Sequence, residues 1–273
     1  MSRAATSLPL IRHSLRRMRG LLLGMGLVLA GFQVLASLMA ATFQENQAFA
    51  RLVAFIPSSV RETLGSSVPA IMSFSGLAAI GYLHFAVIGS LIGLSIAVAT
   101  EPTSEVERGF SDLVMSRPLP RSVPVTRSVA LLLIAATAVN AMLLAGTWAG
   151  LALFAGTGAA WPAPRTLLSL AASLWMLMLC WGGVALGVAA GARRRGIAGV
   201  TVGLSALALY LLDVVARVWK PARGLSRFSP FHYYNPLETL TGGSLRWPDL
   251  AVLGSVAVCG IVVGYLVYGR RDL

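Results

Sequence analysis

The feature that most constrains this chain is a series of long apolar stretches that recur from one end of the sequence to the other. A helix needs about 20 residues to cross a bilayer. Residues 20–43 and 167–191 both exceed that length without one charged side chain. Backbone groups in lipid must form hydrogen bonds within the protein, which leaves helices and closed barrels, and the stretches lack the alternation of barrel strands. The pattern therefore predicts an all-α polytopic membrane protein.

We predict six transmembrane helices in a single transmembrane domain that spans residues 1–273. Their approximate bounds are 20–43, 70–99, 125–155, 167–191, 197–218 and 249–268. The fifth is the weakest, because it contains Asp213 and Arg217. The N-terminus resembles a secretory signal peptide, but its apolar stretch is longer than an ordinary signal core, which favours a retained first span.

The positive charges lie mainly beside the apolar stretches. A net charge of +12 raises the question whether the protein binds nucleic acid. The arginines are dispersed and form no basic patch with interleaved aromatics, so we expect no nucleic-acid partner. Arginine excess marks the cytoplasmic side of a membrane protein, which here places both termini in the cytoplasm. The larger arginine set comprises Arg3, Arg12, Arg16, Arg17, Arg19, Arg108, Arg117, Arg121, Arg127, Arg193, Arg194, Arg195, Arg270 and Arg271.

Short helices are predicted outside the spans. Residues 8–19 carry an apolar stripe and a basic stripe, which favours an interfacial amphipathic helix over a simple topology signal. On the outer face, Ser59 and Glu62 can form a capping box, and Asn235 before Pro236 is typical of a helix start. The aromatic residues of the second outer segment suit the membrane interface better than a dedicated ligand site. They are Phe231, Tyr233, Tyr234 and Trp247.

Four of the ten acidic residues lie in the loop at 99–122. Within it, residues 103–116 read as an amphipathic helix, with a capping box at Ser104 and Glu107 and a stop at Pro118. A membrane-surface helix favours basic residues, because inner-leaflet lipids are anionic. An acidic helix with an apolar ridge instead suits the groove of a protein partner.

The order of several motifs resembles the permease subunits of the ABC type-2 exporter family. In the loop these are Glu107-Arg108-Gly109, Leu113-Val114, Ser116-Arg117-Pro118 and Arg121. IPSSVRETLG at 56–65 is similar to the outer segment before the second span of that family. SPFHYYNP at 229–236 is similar to its outer motif before the last span, and the C-terminal GRRDL to its cytoplasmic tail.

This resemblance implies that residues 103–116 are a coupling helix that seats in a separate ABC ATPase subunit. The implied ATPase-coupling residues are Glu101, Glu105, Glu107, Arg108, Gly109, Phe110, Asp112, Leu113, Arg117, Pro118 and Arg121. It further implies a bacterial inner membrane, a dimer with a second, identical permease, and two ATPase subunits that hold the ATP and magnesium. The turn with Arg193 to Arg195 would be a minor contact, and residues 8–19 a connecting helix. The second and fifth spans would line the path of the substrate.

The sequence offers no catalytic set of its own. It contains no GxxxxGK[ST], HExxH or GxSxG motif, so we expect no enzyme activity, cofactor or metal in this chain. His84, Asp213 and Arg217 are the polar candidates within spans. For His84 a packing role is favoured over a proton relay, and Asp213 with Arg217 is favoured as a structural i,i+4 pair.

Alternative functions stay open at this stage. A secondary, ion-coupled transporter would need charged residues at mid-span and inverted repeats. An ABC-type permease serving cofactor maturation or membrane assembly, a non-transporting scaffold and a polytopic enzyme are further alternatives. Glycines four apart permit close helix packing, within one chain or between chains. They are Gly89 and Gly93, Gly183, Gly187 and Gly191, and Gly199 and Gly203.

Overall fold

The architecture was established with a computed structural model. It describes residues 3–45, 73–101, 103, 122–156, 161–192, 194–241 and 245–270, with the side chains of the first helix described from residue 11 to 43. All regular secondary structure in these ranges is helical. The predicted coupling helix at 103–116 lies outside the described residues except for Thr103, and so does the predicted outer helix before the second span.

Ten α-helices and two 3₁₀ turns make up the described chain. The helices are α1 (Arg3–Glu45), α2 (Phe74–Ala78), α3 (Ile80–Leu83), α4 (Phe85–Ala99), α5 (Val123–Phe154), α6 (Pro164–Gly191), α7 (Arg195–Val218), α8 (Arg223–Ser226), α9 (Pro236–Leu240) and α10 (Trp247–Gly269). The turns are Lys220–Ala222 and Pro230–Tyr233. Two short helices, α8 and α9, lie between the last two long helices.

Five of these helices are long and apolar enough to cross a membrane within the described ranges. They are residues 11–43 of α1, together with α5, α6, α7 and α10. Their bounds agree with the predicted third, fourth, fifth and sixth spans to within three residues, whereas the first begins at Ile11, nine residues before the predicted start. The predicted second span, 70–99, is instead divided into α2, α3 and α4, and α4 has only 15 residues. The count of six continuous spans is therefore not confirmed.

The first helix is longer than a span requires. Its 43 residues extend about 64 Å, whereas a bilayer core is about 30 Å thick. The helix runs through residues 19 and 20 without interruption, so a separate interfacial helix at 8–19 is not confirmed. Met18 and Leu22 belong to the buried core, and Ile11 and Leu15 pack against it. The apolar stripe that we assigned to the membrane surface thus contacts the protein.

The helices alternate in direction between two ends of the bundle. We call one the Glu101 end, where α4 and α6 finish and α7 begins, and the other the His232 end, where α7 finishes and α10 begins. Helices α1, α5 and α7 run towards the His232 end, and α4, α6 and α10 run back. This arrangement brings the start of the 99–122 loop beside Arg17 and Arg195.

Glycines hold two helix pairs together by close backbone approach. Gly146 of α5 meets the backbone of Ala30 in α1. In the second pair, Gly183 of α6 meets Ala257 of α10, and Gly187 meets Gly260. Small residues of this kind permit close packing in lipid, where van der Waals contact drives association. The glycines at 183 and 187 therefore serve packing within the chain, a question that their spacing alone left open.

Replacing Gly183 with leucine should destabilise the bundle, because the added side chain would overlap the backbone of Ala257. Overpacking costs about 1–3 kcal/mol even where side chains can adjust, and backbone adjusts less. We expect Gly183→Leu to lower the thermal unfolding temperature of the protein in detergent. Gly31→Leu is the matched control, since a Cβ there meets nothing within 4 Å. Equal unfolding temperatures for the two variants would contradict this packing.

Candidate functional site

The start of the 99–122 loop is held by a buried ion-pair cluster at the Glu101 end. Glu101 is only 6% exposed. Its Oε1 lies 3.3 Å from Arg17 Nη1, and its Oε2 lies 3.1 Å from Arg195 Nη1. Arg195 also donates from Nη2 to the carbonyl oxygen of Ala97, at 3.0 Å. One carboxylate thus connects α1, the end of α4 and the first residue of α7.

A second contact fixes the loop two residues further on. The hydroxyl of Thr103 donates to the carbonyl oxygen of Ala189 near the end of α6, at 3.0 Å. The side chains of Glu101 and Thr103 are both buried. The described start of the loop is therefore tied to α1, α6 and α7.

The predicted coupling residues divide into two groups. Glu101 is engaged inside the chain, so the structure gives it an anchoring position. The remaining coupling residues lie outside the described part of the chain. They are Glu105, Glu107, Arg108, Gly109, Phe110, Asp112, Leu113, Arg117, Pro118 and Arg121. Sequence alone grouped Glu101 with them because its arginine partners lie 84 and 94 residues away along the chain.

We expect Glu101 and Arg195 to be energetically coupled. Glu101→Gln should lower stability, because it removes the charge that two arginines share. The double variant with Arg195→Gln should lose less than the sum of the single changes, with a coupling energy of about 1 kcal/mol. Denaturant unfolding of the four proteins of the cycle measures this energy. Glu238→Gln, at an exposed pair with Arg246, is the control and should have little effect.

The second predicted span is interrupted at two residues. Ala79 separates α2 from α3, and His84 separates α3 from α4. His84 has extended backbone angles, and its Nδ1 accepts a hydrogen bond from the backbone N–H of Ala86 at 3.3 Å. Its ring lies 5.2 Å from that of Phe32 and 4.9 Å from that of Phe85. His84 therefore caps α4 and packs among aromatic rings, in line with the favoured packing role.

A buried polar network surrounds this interruption. Gln33 Nε2 donates to Thr147 Oγ1 at 2.7 Å, and the hydroxyl of Tyr82 lies 3.4 Å from the same oxygen. The hydroxyl of Tyr234 donates to the carbonyl oxygen of Tyr82 at 2.6 Å. A broken helix frees backbone groups that must find partners in lipid, and Tyr234 supplies one of them. Sequence reasoning missed Gln33, although it is the only amide side chain in residues 20–43.

Residues 229–235 fold back into the bundle from the His232 end. Ser229 Oγ donates to the carbonyl oxygen of Leu209 at 3.0 Å. Leu209 lies nine residues before the last residue of α7, which corresponds to a depth of about 14 Å. The ring of Phe231 lies 5.7 Å from that of Trp181 and 5.3 Å from that of Tyr210. The interfacial aromatic belt predicted here is thus wrong for Phe231 and Tyr234, which are buried, while Trp247 is exposed.

The Asp213 pair has a third partner that sequence reasoning missed. Arg217 Nη2 lies 2.9 Å from Asp213 Oδ2, as expected for residues four apart on α7. His232 Nδ1 lies 3.9 Å from Asp213 Oδ1 and 3.4 Å from the hydroxyl oxygen of Ser226. The carboxylate is buried, so these partners offset the cost of removing it from water. The pair therefore also positions the re-entrant segment.

A cavity of about 260 Å³ lies between α4 and α7. Its lining is almost entirely apolar and consists of Phe85, Ile88, Gly89, Ile92, Gly93, Ile96, Gly203, Ala206, Leu207, Tyr210 and Phe231. A Cβ added at Gly89, Gly93 or Gly203 would meet nothing within 4 Å. Unlike the glycines of α6, these three face open space, and we call the cavity the α4/α7 groove.

Comparison with known proteins adds no family to this picture: no family model matches the chain, and neither does any curated protein or solved structure. The architecture itself defines the class. Five long apolar helices, packed through glycines and carrying buried polar networks, make this a multi-pass α-helical membrane protein.

Removing the hydroxyl of Tyr234 should loosen the interruption between α3 and α4. Burial raises the pKa of the Tyr234 phenol, so it stays protonated and donates throughout the physiological range. Tyr234→Phe leaves the carbonyl of Tyr82 without this donor, a change that costs about 1–3 kcal/mol for a buried acceptor. Thermal unfolding in detergent measures the loss. Tyr233→Phe removes an exposed hydrogen bond to the Arg227 carbonyl and should have a smaller effect.

Proposed function

We propose that this chain is the membrane-spanning permease subunit of an ATP-driven exporter of the ABC type-2 kind. The observation that carries the proposal is the Glu101–Arg195 ion pair. It joins the origin of the acidic loop to the end of α4 and the start of α7. These are the two helices that form the α4/α7 groove. A force applied to the loop by a partner would therefore act directly on both walls of the groove.

The proposed energy source is a separate ATPase, present in two copies, each seated against residues 103–116 of one permease. ATP and magnesium would be held by that partner, and this chain would bind no cofactor and catalyse no reaction. Glutamates and an aspartate of the loop would contact a groove with basic or polar walls, because opposite charges favour correct docking. In this proposal the Glu101 end and both termini lie on the cytoplasmic side of a bacterial inner membrane.

The second proposed partner is an identical permease. The exposed faces of α4 and α7 carry the open glycines of the groove and the apolar residues Phe85, Ile197, Val200, Leu204 and Leu207. A second copy that approached these faces would enclose a path between the two grooves. Substrate would pass along this path when the ATPases change the separation of α4 and α7.

A secondary, ion-coupled transporter is the alternative that one observation favours. Interrupted helices with buried polar side chains are typical of ion and substrate sites in such carriers. The interruption at His84, with Gln33, Tyr82 and Thr147 beside it, has this character. The described helices carry few charged residues at mid-depth, which is why the ATP-driven function is preferred.

Charge reversal in the loop tests the proposal. Glu107→Arg together with Asp112→Arg should detach the ATPase, because the two introduced arginines would repel a basic docking groove. The tagged chain is purified from its native host in mild detergent, and the co-purifying P-loop ATPase is quantified by mass spectrometry. We expect a loss of about tenfold or more, as for a charged pair at an interface. ATP hydrolysis by the complex should fall in parallel.

Glu238→Arg is the control, since it reverses an exposed acid at the opposite end of the bundle. It should leave the ATPase bound. If the wild-type chain yields no ATPase even after crosslinking from residues 99–122, the proposal fails. The ion-coupled alternative would then lead, and His84 would be the first residue to substitute.

A further inference from the structure

We infer that the α4/α7 groove binds an anionic phospholipid that enters from the bilayer, with one acyl chain in the groove and its phosphate on Arg217. The inference that the groove binds such a lipid does not depend on the proposed function. The further inference that the transported substrate is an anionic amphiphile rests on that function.

The groove suits an acyl chain because it is apolar, open and unobstructed. Gly89 and Gly93 on α4 and Gly203 on α7 present no side chain to its interior. Phe85 at one edge is 64% exposed, and Leu207 at the other edge is also exposed. The opening therefore faces outward from the bundle, where lipid chains surround a membrane protein.

A second, more polar cavity adjoins the groove towards the His232 end. It has a volume of about 240 Å³ and includes Asp213, Arg217 and Asn235 among its lining residues. The two cavities share Ile88, Tyr210 and Phe231, so they are adjacent sections of one elongated site. An apolar section that leads into a charged section has the polarity of an amphiphile.

The charge of the polar section selects an anionic head. The carboxylate of Asp213 is buried and already paired, whereas the side chain of Arg217 is 60% exposed. Three further cations, Lys220, Arg223 and Arg227, are exposed within the next ten residues of the chain. The described acids at this end, Glu238 and Asp249, pair with Arg246. The local field is therefore positive, which attracts phosphate.

The arrangement also explains the exposed aromatic residues at this end. Trp219 and Phe228 flank the cationic segment and are largely exposed. Aromatic rings beside basic residues are typical of protein surfaces at the level of lipid headgroups. A phosphate at this depth would reach Arg217 while its acyl chain entered the groove.

Photolabelling of the chain alone in proteoliposomes tests the inference. The vesicles contain a small fraction of phosphatidylglycerol with a diazirine in one acyl chain, or phosphatidylcholine with the same labelled chain. After irradiation, mass spectrometry locates the labelled peptides. We expect the anionic probe to label residues 85–96 and 203–210 several-fold more than the zwitterionic probe. The labelling of α1 should be equal for the two probes.

Two variants distinguish binding of the acyl chain from binding of the lipid headgroup. Gly203→Leu adds a side chain to the groove at a position where a Cβ meets nothing within 4 Å, and it should reduce labelling by both probes, whereas Gly31→Leu on α1 should not. Arg217→Gln should lower the preference for the anionic probe about fivefold, the size of effect expected for one charge-assisted hydrogen bond. Lys220→Gln removes one of the surrounding positive charges and leaves the Asp213–Arg217 pair intact, so it tests whether those charges contribute to the preference for the anionic probe.

Equal labelling by the two probes in the wild-type chain would overturn the inference, since it would reveal only lipid that surrounds the bundle. Unchanged labelling in Gly203→Leu would overturn it as well. Exclusion of both probes, with crosslinks from Gly203 positions to a second copy, would show that the chain itself covers the groove. This last result would overturn the inference while supporting the dimer of the proposed function. Because no ATPase is present, none of these results bears on the coupling loop.

Discussion

Every backbone hydrogen bond of this protein that lies in lipid has to be made within the protein, and the rest of the structure depends on that constraint. Five long helices meet it by themselves. The segment from 74 to 99 does not, because it is interrupted at Ala79 and His84. The bundle meets the need there with side chains. His84 caps α4, and Tyr234 donates to the carbonyl of Tyr82. The re-entrant segment at 229–235 is therefore required by the interruption.

The same interruption shapes the candidate site. Because α4 is short and ends at Ala99, two residues before Glu101, it is held to α7 at one end by an ion pair and met by Phe231 at the other. Between these points the space between the two helices stays open, because Gly89, Gly93 and Gly203 contribute no side chain that would fill it. The groove is thus bounded by polar contacts at its ends and left open along its length.

Sequence patterns predicted much of this architecture. The apolar stretches located four long helices to within three residues and the end of the first, because the hydrophobic length of a span is set by the bilayer and is read directly from composition. The contacts of His84 with Ala86 and of Asp213 with Arg217 lie within four residues, whereas Phe32 and His232 reach these side chains from distant parts of the chain. The interruption of the second span was not predicted, because FSGLAAIGYLHF is as apolar as a continuous helix would be.

What the sequence determined by itself was the class of protein, the position of the long helices and the unusual acidity of one loop. These features follow from local composition and from the spacing of apolar residues. They can therefore be predicted without knowing which residues pack against them in the fold. Only the tertiary structure decided which glycines pack and which stay open, because Gly183 and Gly89 have the same spacing pattern and differ only in what lies opposite. It also decided that Glu101 anchors the loop, since its partners Arg17 and Arg195 are distant in sequence and meet it only when three helices come together.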